Sequence, residues 1–410
     1  MINLFRSKAL YKKLTSLKGP QDAITALAFS IHGKFLAAVG PGGANIWNLS
    51  DHQSVPLTSL HGCTTGAPGA TEPPEMKGFP ALAWLYFSQR SRHVLLLGTV
   101  GGQLQIWDYI DERLIVNITL APGIVGQKQA LSVDVYPREV PVGTHAQIVV
   151  SYTSRSVLVG HLRADGDFKQ RVLITLEDGF MPKTVRFDKS GNVIVFSMHG
   201  GIIVSLDSLT GNILWRKSDA PRFMATVSLD EDCQSFVACT DQGFELWDFD
   251  RMILTKEFEQ APISLSLPKH ACFSEWKTKV IGGTDRACAE VYDARNGKFE
   301  QRLAYPQGGL VQAVAAYTTN DRFLIAVAGA NGRRACDVIL WYKKHVPRTD
   351  PRPGSSDEYY TFRIKKWYIR LVFYILCALW VVVAQTLIIL NNSEVRTNSP
   401  GLNSHSQWYH

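Results

Sequence analysis

The residues that could perform catalysis or hold a metal are sparse in this sequence. Asp230, Glu231 and Asp232 are adjacent carboxylates that could bind a cation, although such a run is also typical of a solvated hairpin tip. The eleven histidines include no pair four residues apart, and the usual P-loop, metalloprotease, hydrolase and EF-hand motifs do not occur. The sequence therefore predicts that the protein is not an enzyme and requires no cofactor or metal.

Two glycine pairs, Gly42-Gly43 and Gly101-Gly102, resemble phosphate-binding loops only weakly. Each pair joins two predicted strands, and no helix follows whose N-terminus could bind an anion. We therefore expect these glycines to supply positive φ angles in tight turns.

A set of polar residues in predicted turns forms a candidate binding face. These residues are His199, Asp241, Gln242, Asp285, Arg286, Asn331, Arg333 and Arg334. Arginine is enriched at protein interfaces, and its guanidinium group can bind a carboxylate in a fork. The set predicts a protein-binding patch that favours an acidic partner, whereas the alternative is ordinary solvated turn charge.

A repeated pattern explains how these turns are positioned. Each copy has an alternating apolar strand, a polar turn, a strand of small and apolar residues, a Gly-containing turn, and a strand that ends in Trp or a substitute. The copies span residues 24–51, 80–109, 131–162, 184–211, 224–250, 263–297 and 311–344. Their strand-end residues are Trp47, Trp107, Leu162, Leu206, Trp247, Tyr292 and Trp341. Most spacings approach the roughly 40–45 residues of a propeller blade, which predicts an all-β, seven-bladed β-propeller over residues 1–344.

Three further segments complete this interpretation. Residues 61–78 and 137–145 interrupt the repeat and are rich in Gly, Pro and polar residues, so we expect extended loops rather than extra domains. We expect the loop at 61–78 to emerge on the same face as the candidate patch. Residues 10–17 are predicted to form an outer strand that completes the last blade and removes an open sheet edge.

The dipeptides Trp107-Asp108 and Trp247-Asp248, each preceded by a Gly-rich turn, resemble the signature of WD40 repeats. The resemblance covers about residues 10–344, although the Gly-His pair that usually opens a repeat is absent. It implies a propeller that binds protein partners through the loops between blades and between second and third strands.

The C-terminal region differs from the repeats. Residues 345–362 are rich in Pro, Gly and Ser and are predicted to be a stem. Residues 371–390, LVFYILCALWVVVAQTLIIL, contain no charge, and a helix of this length would span about 30 Å, the thickness of a bilayer core. This pattern predicts a single transmembrane helix, and the alternative is a buried core helix.

A basic and aromatic collar precedes the predicted span. Its members are Arg363, Lys365, Lys366, Trp367, Tyr368 and Arg370. Positive charge favours the cytosolic side, so we expect a tail-anchored protein with a cytosolic propeller and a short lumenal tail at residues 391–410. The tail lacks a basic cluster, which favours the endoplasmic reticulum or a later secretory membrane. The sequon at Asn391 lies against the membrane and is expected to be unused.

Composition limits the possible partners. The formal net charge of +7 arises from 43 Lys and Arg against 36 Asp and Glu, which is too weak an excess to predict nucleic-acid binding. The seven cysteines include no CxxC pair and are expected to be reduced thiols.

These features predict a non-catalytic scaffold that recruits a cytosolic protein to a secretory membrane. The alternative function is nucleotide exchange, because a cytosolic propeller followed by one span is similar to the Sec12 family. That resemblance implies a Sar1-type small GTPase as partner and a Gly-rich, cation-binding loop in the first blade. The matching stretch is GPGGAN at residues 40–45.

Overall fold

The computed structural model describes residues 10–345 with gaps, and beyond this range only Gln385. The gaps are residues 21, 56, 59–77, 111–112, 121–127, 259–266 and 331–334. The described strands form seven sheets that follow one another along the chain. They are the blades of a seven-bladed, all-β propeller, which confirms the predicted architecture for the described part of the chain.

The strands are short, as expected for propeller blades. The first fourteen are β1 (Lys12–Leu17), β2 (Ala26–Phe29), β3 (Phe35–Gly40), β4 (Gly43–Asn48), β5 (Leu57–Thr58), β6 (Ala81–Phe87), β7 (Arg92–Gly98), β8 (Leu104–Ile110), β9 (Arg113–Leu120), β10 (Ala130–Tyr136), β11 (Glu139–Val140), β12 (His145–Tyr152), β13 (Ser156–Arg163) and β14 (Phe168–Thr175). A 3-10 turn at Ser88–Arg90 precedes β7.

The other strands complete the ring. They are β15 (Pro182–Phe187), β16 (Val193–Ser197), β17 (Ile203–Leu206), β18 (Ile213–Lys217), β19 (Thr226–Leu229), β20 (Ser235–Cys239), β21 (Phe244–Asp248), β22 (Ile253–Phe258), β23 (Ala271–Ser274), β24 (Lys279–Gly283), β25 (Cys288–Asp293), β26 (Phe299–Ala304), β27 (Leu310–Thr318), β28 (Arg322–Ala330) and β29 (Val338–Lys344). Blade 1 contains β2–β4, blade 2 contains β6–β9, and blade 3 contains β10 and β12–β14. Blades 4, 5 and 6 contain β15–β18, β19–β22 and β23–β26, and blade 7 contains β27–β29 with β1.

Burial within a blade follows the distance from the ring centre. The second strands β3 and β7 are buried at every position, because neighbouring blades cover both faces of the sheet. The outer strands β18 and β22 expose most of their residues. Small and apolar residues therefore mark the second strand of the repeat, as the sequence pattern indicates.

The seven strand-end positions predicted from the sequence all lie on the third strand of a blade. The buried apolar residues form seven clusters, one at each junction between neighbouring blades. Each strand-end side chain packs into the cluster that its blade shares with the preceding blade. Trp47, for example, packs with residues of blade 7, and Trp107 packs with residues of blade 1. The repeat thus places one large side chain at every junction.

The ring is closed by the N-terminal strand. β1 pairs antiparallel with β29, with Lys12 opposite Tyr342 and Leu17 opposite Val338. The first strands of successive blades contact one another around the centre, and the first strand of blade 7 contacts that of blade 1. This confirms the outer strand predicted for residues 10–17, which leaves β29 without an open edge.

The two predicted insertions differ in how far they are described. Residues 59–77 lie outside the described residues, and the carbonyl of Gly78, which follows them, accepts a hydrogen bond from the Val100 amide at 2.9 Å. Residues 137–145 are not entirely loop. They contain β11, which pairs in parallel with β6 of the neighbouring blade and buries Val140. The sequence did not indicate this pairing, because two residues are too few for a recognisable strand pattern.

Two faces follow from the direction of the strands. Turns between second and third strands, together with the connections between blades, lie on one face, which we call the upper face. Turns between first and second strands and between third and fourth strands lie on the lower face. β29 is a third strand, so it ends at the lower face, where the His345 ring lies 4.7 Å from that of Trp276. The chain therefore leaves the propeller on the lower face.

The blades belong to one compact unit, Met1–Pro347. Among the described residues, no helix has the length and apolar character needed to cross a bilayer. The predicted stem, basic collar and lumenal tail lie outside the described residues, and so does the predicted span apart from Gln385.

Candidate interaction face

The acidic run in blade 5 is engaged by lysines. The Asp230 carboxylate forms an ion pair with Lys277 Nζ at 2.9 Å. Asp232 forms ion pairs with Lys277 and with Lys189, and its distance to Lys189 Nζ is 2.9 Å. Hydrogen bonds from Lys277 and Lys189 lower the pKa of Asp232 to about 2. Within the described ranges, no group of three or more His, Cys, Asp or Glu side chains has an arrangement that could hold a metal ion. These carboxylates tie the blade 5 hairpin to blades 4 and 6.

The glycine pairs form tight turns between second and third strands. Gly43 has φ +114° and Gly102 has φ +84°, a backbone region that residues other than glycine rarely adopt. In blade 1 only two residues separate β3 from β4, and the Asn45 side chain donates to the Lys18 carbonyl at 3.2 Å. Residues 40–45 therefore form a hairpin turn rather than an elongated loop.

The upper face brings together all five of the predicted binding residues that the structure describes. His199, Asp241 and Gln242, and Asp285 and Arg286, occupy the turns between second and third strands of blades 4, 5 and 6. All are exposed except Asp285, which is half-buried. Asn331, Arg333 and Arg334, in the corresponding turn of blade 7, lie outside the described residues.

A threonine at the start of two of these turns fixes their shape. In blade 5, Thr240 Oγ1 accepts a hydrogen bond from the Gln242 amide at 3.2 Å and donates to Glu245 at 2.9 Å. In blade 6, Thr284 Oγ1 accepts from the Arg286 amide at 3.2 Å and donates to the Cys288 carbonyl at 2.7 Å. The exposed side chains therefore project from turns that are held by buried hydroxyl groups.

The third strands of three blades carry a repeated side-chain hydrogen bond that the sequence analysis did not predict. Glu245 accepts a hydrogen bond from Trp247 Nε1 at 2.8 Å, and Glu290 accepts one from the Tyr292 hydroxyl at 2.6 Å. In blade 2, Gln105 accepts from Trp107 Nε1 at 3.1 Å. Burial and the neighbouring Glu290 raise the pKa of Tyr292. The recognisable signal is Glu or Gln two residues before the strand-end aromatic residue.

Arg222 is a further member of the upper face that the turn pattern did not indicate. It lies in the connection from blade 4 to blade 5, is exposed, and its carbonyl accepts from the Gly200 amide at 2.8 Å. The neighbouring Phe223 ring lies 5.4 Å from the His199 ring. Connections between blades have no repeated pattern, so the sequence gives no signal for residues such as Arg222.

Two cavities of about 420 and 430 Å³ lie on the lower face, away from the predicted binding residues. The second is lined by Trp215, Lys217 and Phe249, among others. Lys217 Nζ donates to the Phe249 carbonyl at 2.7 Å and lies 5.1 Å from the centre of the Trp215 ring. The cation in the wall of this cavity is therefore engaged within the protein, and the exposed turns of the upper face suit a macromolecular surface better than a small ligand.

The fold and the exposed turns define this chain as a seven-bladed β-propeller, a class that commonly serves as an interaction scaffold. Neither a scan against protein-family models nor a search of curated proteins found a match. The resemblances to WD40 repeats and to the membrane-anchored exchange factors therefore stay predictions from the sequence.

Proposed function

We propose that this protein is a non-catalytic scaffold, tethered to a secretory-pathway membrane by residues 371–390, that recruits a cytosolic partner through its upper face. One observation carries the proposal. The chain leaves the propeller on the lower face at His345, while the described candidate residues lie on the upper face. A tether that continues from the lower face leaves the upper face accessible to a partner.

The predicted stem is compatible with this arrangement. Residues 345–362 form a chain of eighteen residues, which as a flexible linker would span about 23 Å. The propeller would then remain within about one diameter of the bilayer. The uncharged run and its basic collar support an anchor whose N-terminal side stays in the cytosol.

The chemistry of the upper face favours an acidic protein surface. Arg222 and Arg286 are exposed there, and Arg333 and Arg334 lie in the next blade along the sequence. Arginine binds carboxylates in a fork and is frequent among residues that dominate binding energy. The exchange-factor alternative requires an elongated loop in the first blade, and residues 40–45 form a tight turn instead, so no observation favours that alternative specifically. A small GTPase remains one class of protein that could be recovered as the partner.

Charge reversal on the upper face tests this proposal. Changing Arg286, Arg333 and Arg334 together to Glu is expected to reduce labelling of the partner about tenfold, because the loss of one or two dominant contacts is worth that much affinity. Labelling would be measured with a proximity-labelling enzyme fused to the N-terminus, and folding would be followed by thermal unfolding.

The matched control reverses three charges on the lower face, namely Lys34, Arg163 and Arg251, each of which is exposed. This control is expected to leave partner labelling unchanged. Equal labelling by the wild-type protein and the upper-face variant, with both proteins folded, would contradict the proposed binding face.

A further inference from the structure

Three exposed apolar side chains lie at one edge of the lower face. Trp276, in the turn between β23 and β24, is 50% exposed, Phe299 at the start of β26 is 50% exposed, and Leu10 is 52% exposed. Tyr11 connects them, because its amide donates to Gln301 of β26 at 2.8 Å and its hydroxyl donates to Glu275, next to Trp276, also at 2.8 Å. We call this surface the lower corner of blades 6 and 7.

The lower corner is also surrounded by cations. Six exposed basic side chains have no ion-pair partner among the described residues; they are Lys12, Lys13, Arg295, Lys298, Arg322 and Lys344. The nearby acids are ion-paired, and the three carboxylates share two lysines, which leaves one net negative charge. Glu275 is paired with Lys343 Nζ at 2.7 Å, and Asp293 and Glu300 are paired with Lys279 Nζ at 2.8 and 2.6 Å. The surface is therefore basic, because these six cations outnumber the one unbalanced carboxylate and exposed acids such as Asp321.

The chain leaves the propeller at this same corner. His345 follows β29 directly, and its ring lies 4.7 Å from the Trp276 ring and 5.3 Å from the Phe323 ring. The uncharged run at residues 371–390 begins less than thirty residues further along the sequence. A tether of this length would hold the lower corner near the bilayer at a high effective concentration.

We propose that the lower corner of blades 6 and 7 docks on an anionic membrane surface, with Trp276 and Phe299 at the depth of the headgroups and the lysines and arginines against the phosphates. Tryptophan is enriched at this depth because its ring is apolar and carries one polar group, and basic residues are attracted to anionic lipid. The inference rests on the proposed membrane tether, and it fixes which way the propeller faces. Docking by the lower corner directs the upper face towards the cytosol.

Photocrosslinking in vesicles tests this docking surface. The full chain, carrying a photoreactive benzoylphenylalanine in place of Trp276, would be reconstituted into phosphatidylcholine vesicles with and without phosphatidylserine. We expect crosslinks to lipid that increase at least about fivefold with phosphatidylserine. The matched control places the same group at Leu267, which is 51% exposed and precedes β23 on the upper side of blade 6. Lipid crosslinking at this control position is expected to stay at background.

Charge reversal separates the electrostatic contribution. Arg295→Glu with Lys298→Glu is expected to reduce lipid crosslinking at position 276 several-fold, since two contacts with phosphate become repulsive. Lys18→Glu with Arg222→Glu, two exposed upper-face positions, is the matched control and should have no effect. All four changes are at exposed side chains, so folding should be retained.

Three outcomes would contradict the docking surface. The first is equal lipid crosslinking at positions 276 and 267, and the second is crosslinking that changes neither with phosphatidylserine nor with the charge reversal. The third is a crosslink to protein in place of lipid. Resistance of the chain to carbonate extraction reports the tether separately. A carbonate-resistant chain without lipid crosslinks at 276 would contradict only the docking surface. Phosphatidylserine-dependent crosslinks from a chain that carbonate removes would support the docking surface and contradict the tether.

Discussion

Asp108→Asn is expected to lower the free energy of unfolding by about 3–5 kcal/mol, because it leaves a buried guanidinium without its counter-charge. Asp108 is fully buried and Arg92 is 7% exposed. The two side chains form a double hydrogen bond, Nε to Oδ1 and Nη2 to Oδ2, each 2.6 Å long. Arg92 Nη1 also donates to the Ala164 carbonyl in blade 3, so the pair links two blades.

Asp248 provides the matched control, because it occupies the equivalent position after the strand-end Trp in blade 5. It is half-buried, and its Oδ1 accepts a hydrogen bond from the Arg251 amide at 2.8 Å. Asp248→Asn is therefore expected to cost about 1 kcal/mol or less. Chemical denaturation of both variants measures the difference, and equal destabilisation would contradict the role assigned to the Arg92–Asp108 pair.

Deletion of residues 371–390 is expected to move the protein from the membrane pellet to the soluble fraction. A run of twenty uncharged residues is long enough to span the bilayer core as a helix, and no other anchor is proposed. Fractionation after a carbonate wash measures the change. Weak binding through the lower corner could keep part of the deleted chain on anionic membranes at low salt, and this part should be released at high ionic strength.

An unrelated run of twenty Leu and Ala residues in place of 371–390 is the control, since it preserves length and apolar character. It should restore carbonate-resistant membrane association. If the chain that lacks residues 371–390 stays in the pellet after washes with high salt and with carbonate, residues 371–390 are not the anchor.

The repeat was predictable because one physical requirement recurs at each blade. Every junction between blades needs an apolar side chain that packs between the two sheets, and the third strand supplies it, from the buried Trp47 to the half-buried Trp341. The closing strand was predictable for a similar reason, because β29 would otherwise present an unpaired edge.

The differences between blades were not predictable from the repeat. The Trp-Asp dipeptides of blades 2 and 5 look alike in sequence, yet only Asp108 has a buried arginine beside it. Arg92 lies on another strand, so the Trp-Asp dipeptide alone does not indicate that an arginine pairs with its aspartate. The same holds for Lys189 and Lys277, which engage the acidic run from blades 4 and 6.

The two surfaces differ in the same way. The upper-face residues lie at one repeated position in the blade, so the turn pattern located His199, Asp241 and Arg286 without a structure. The lower corner combines Trp276 and Phe299 of blade 6 with Leu10, which joins them only when β1 pairs with blade 7. A surface assembled by ring closure has no local sequence signal.

Proximity labelling in cells tests the membrane-tethered scaffold most directly. The labelling enzyme would be fused to the N-terminus of the full chain and of the chain that lacks residues 371–390. We expect a coherent set of membrane-associated proteins from the full chain alone, and a set containing a small GTPase with coat components would direct the next experiment to nucleotide release. Identical labelling by the two chains would contradict the proposal that the membrane tether directs recruitment.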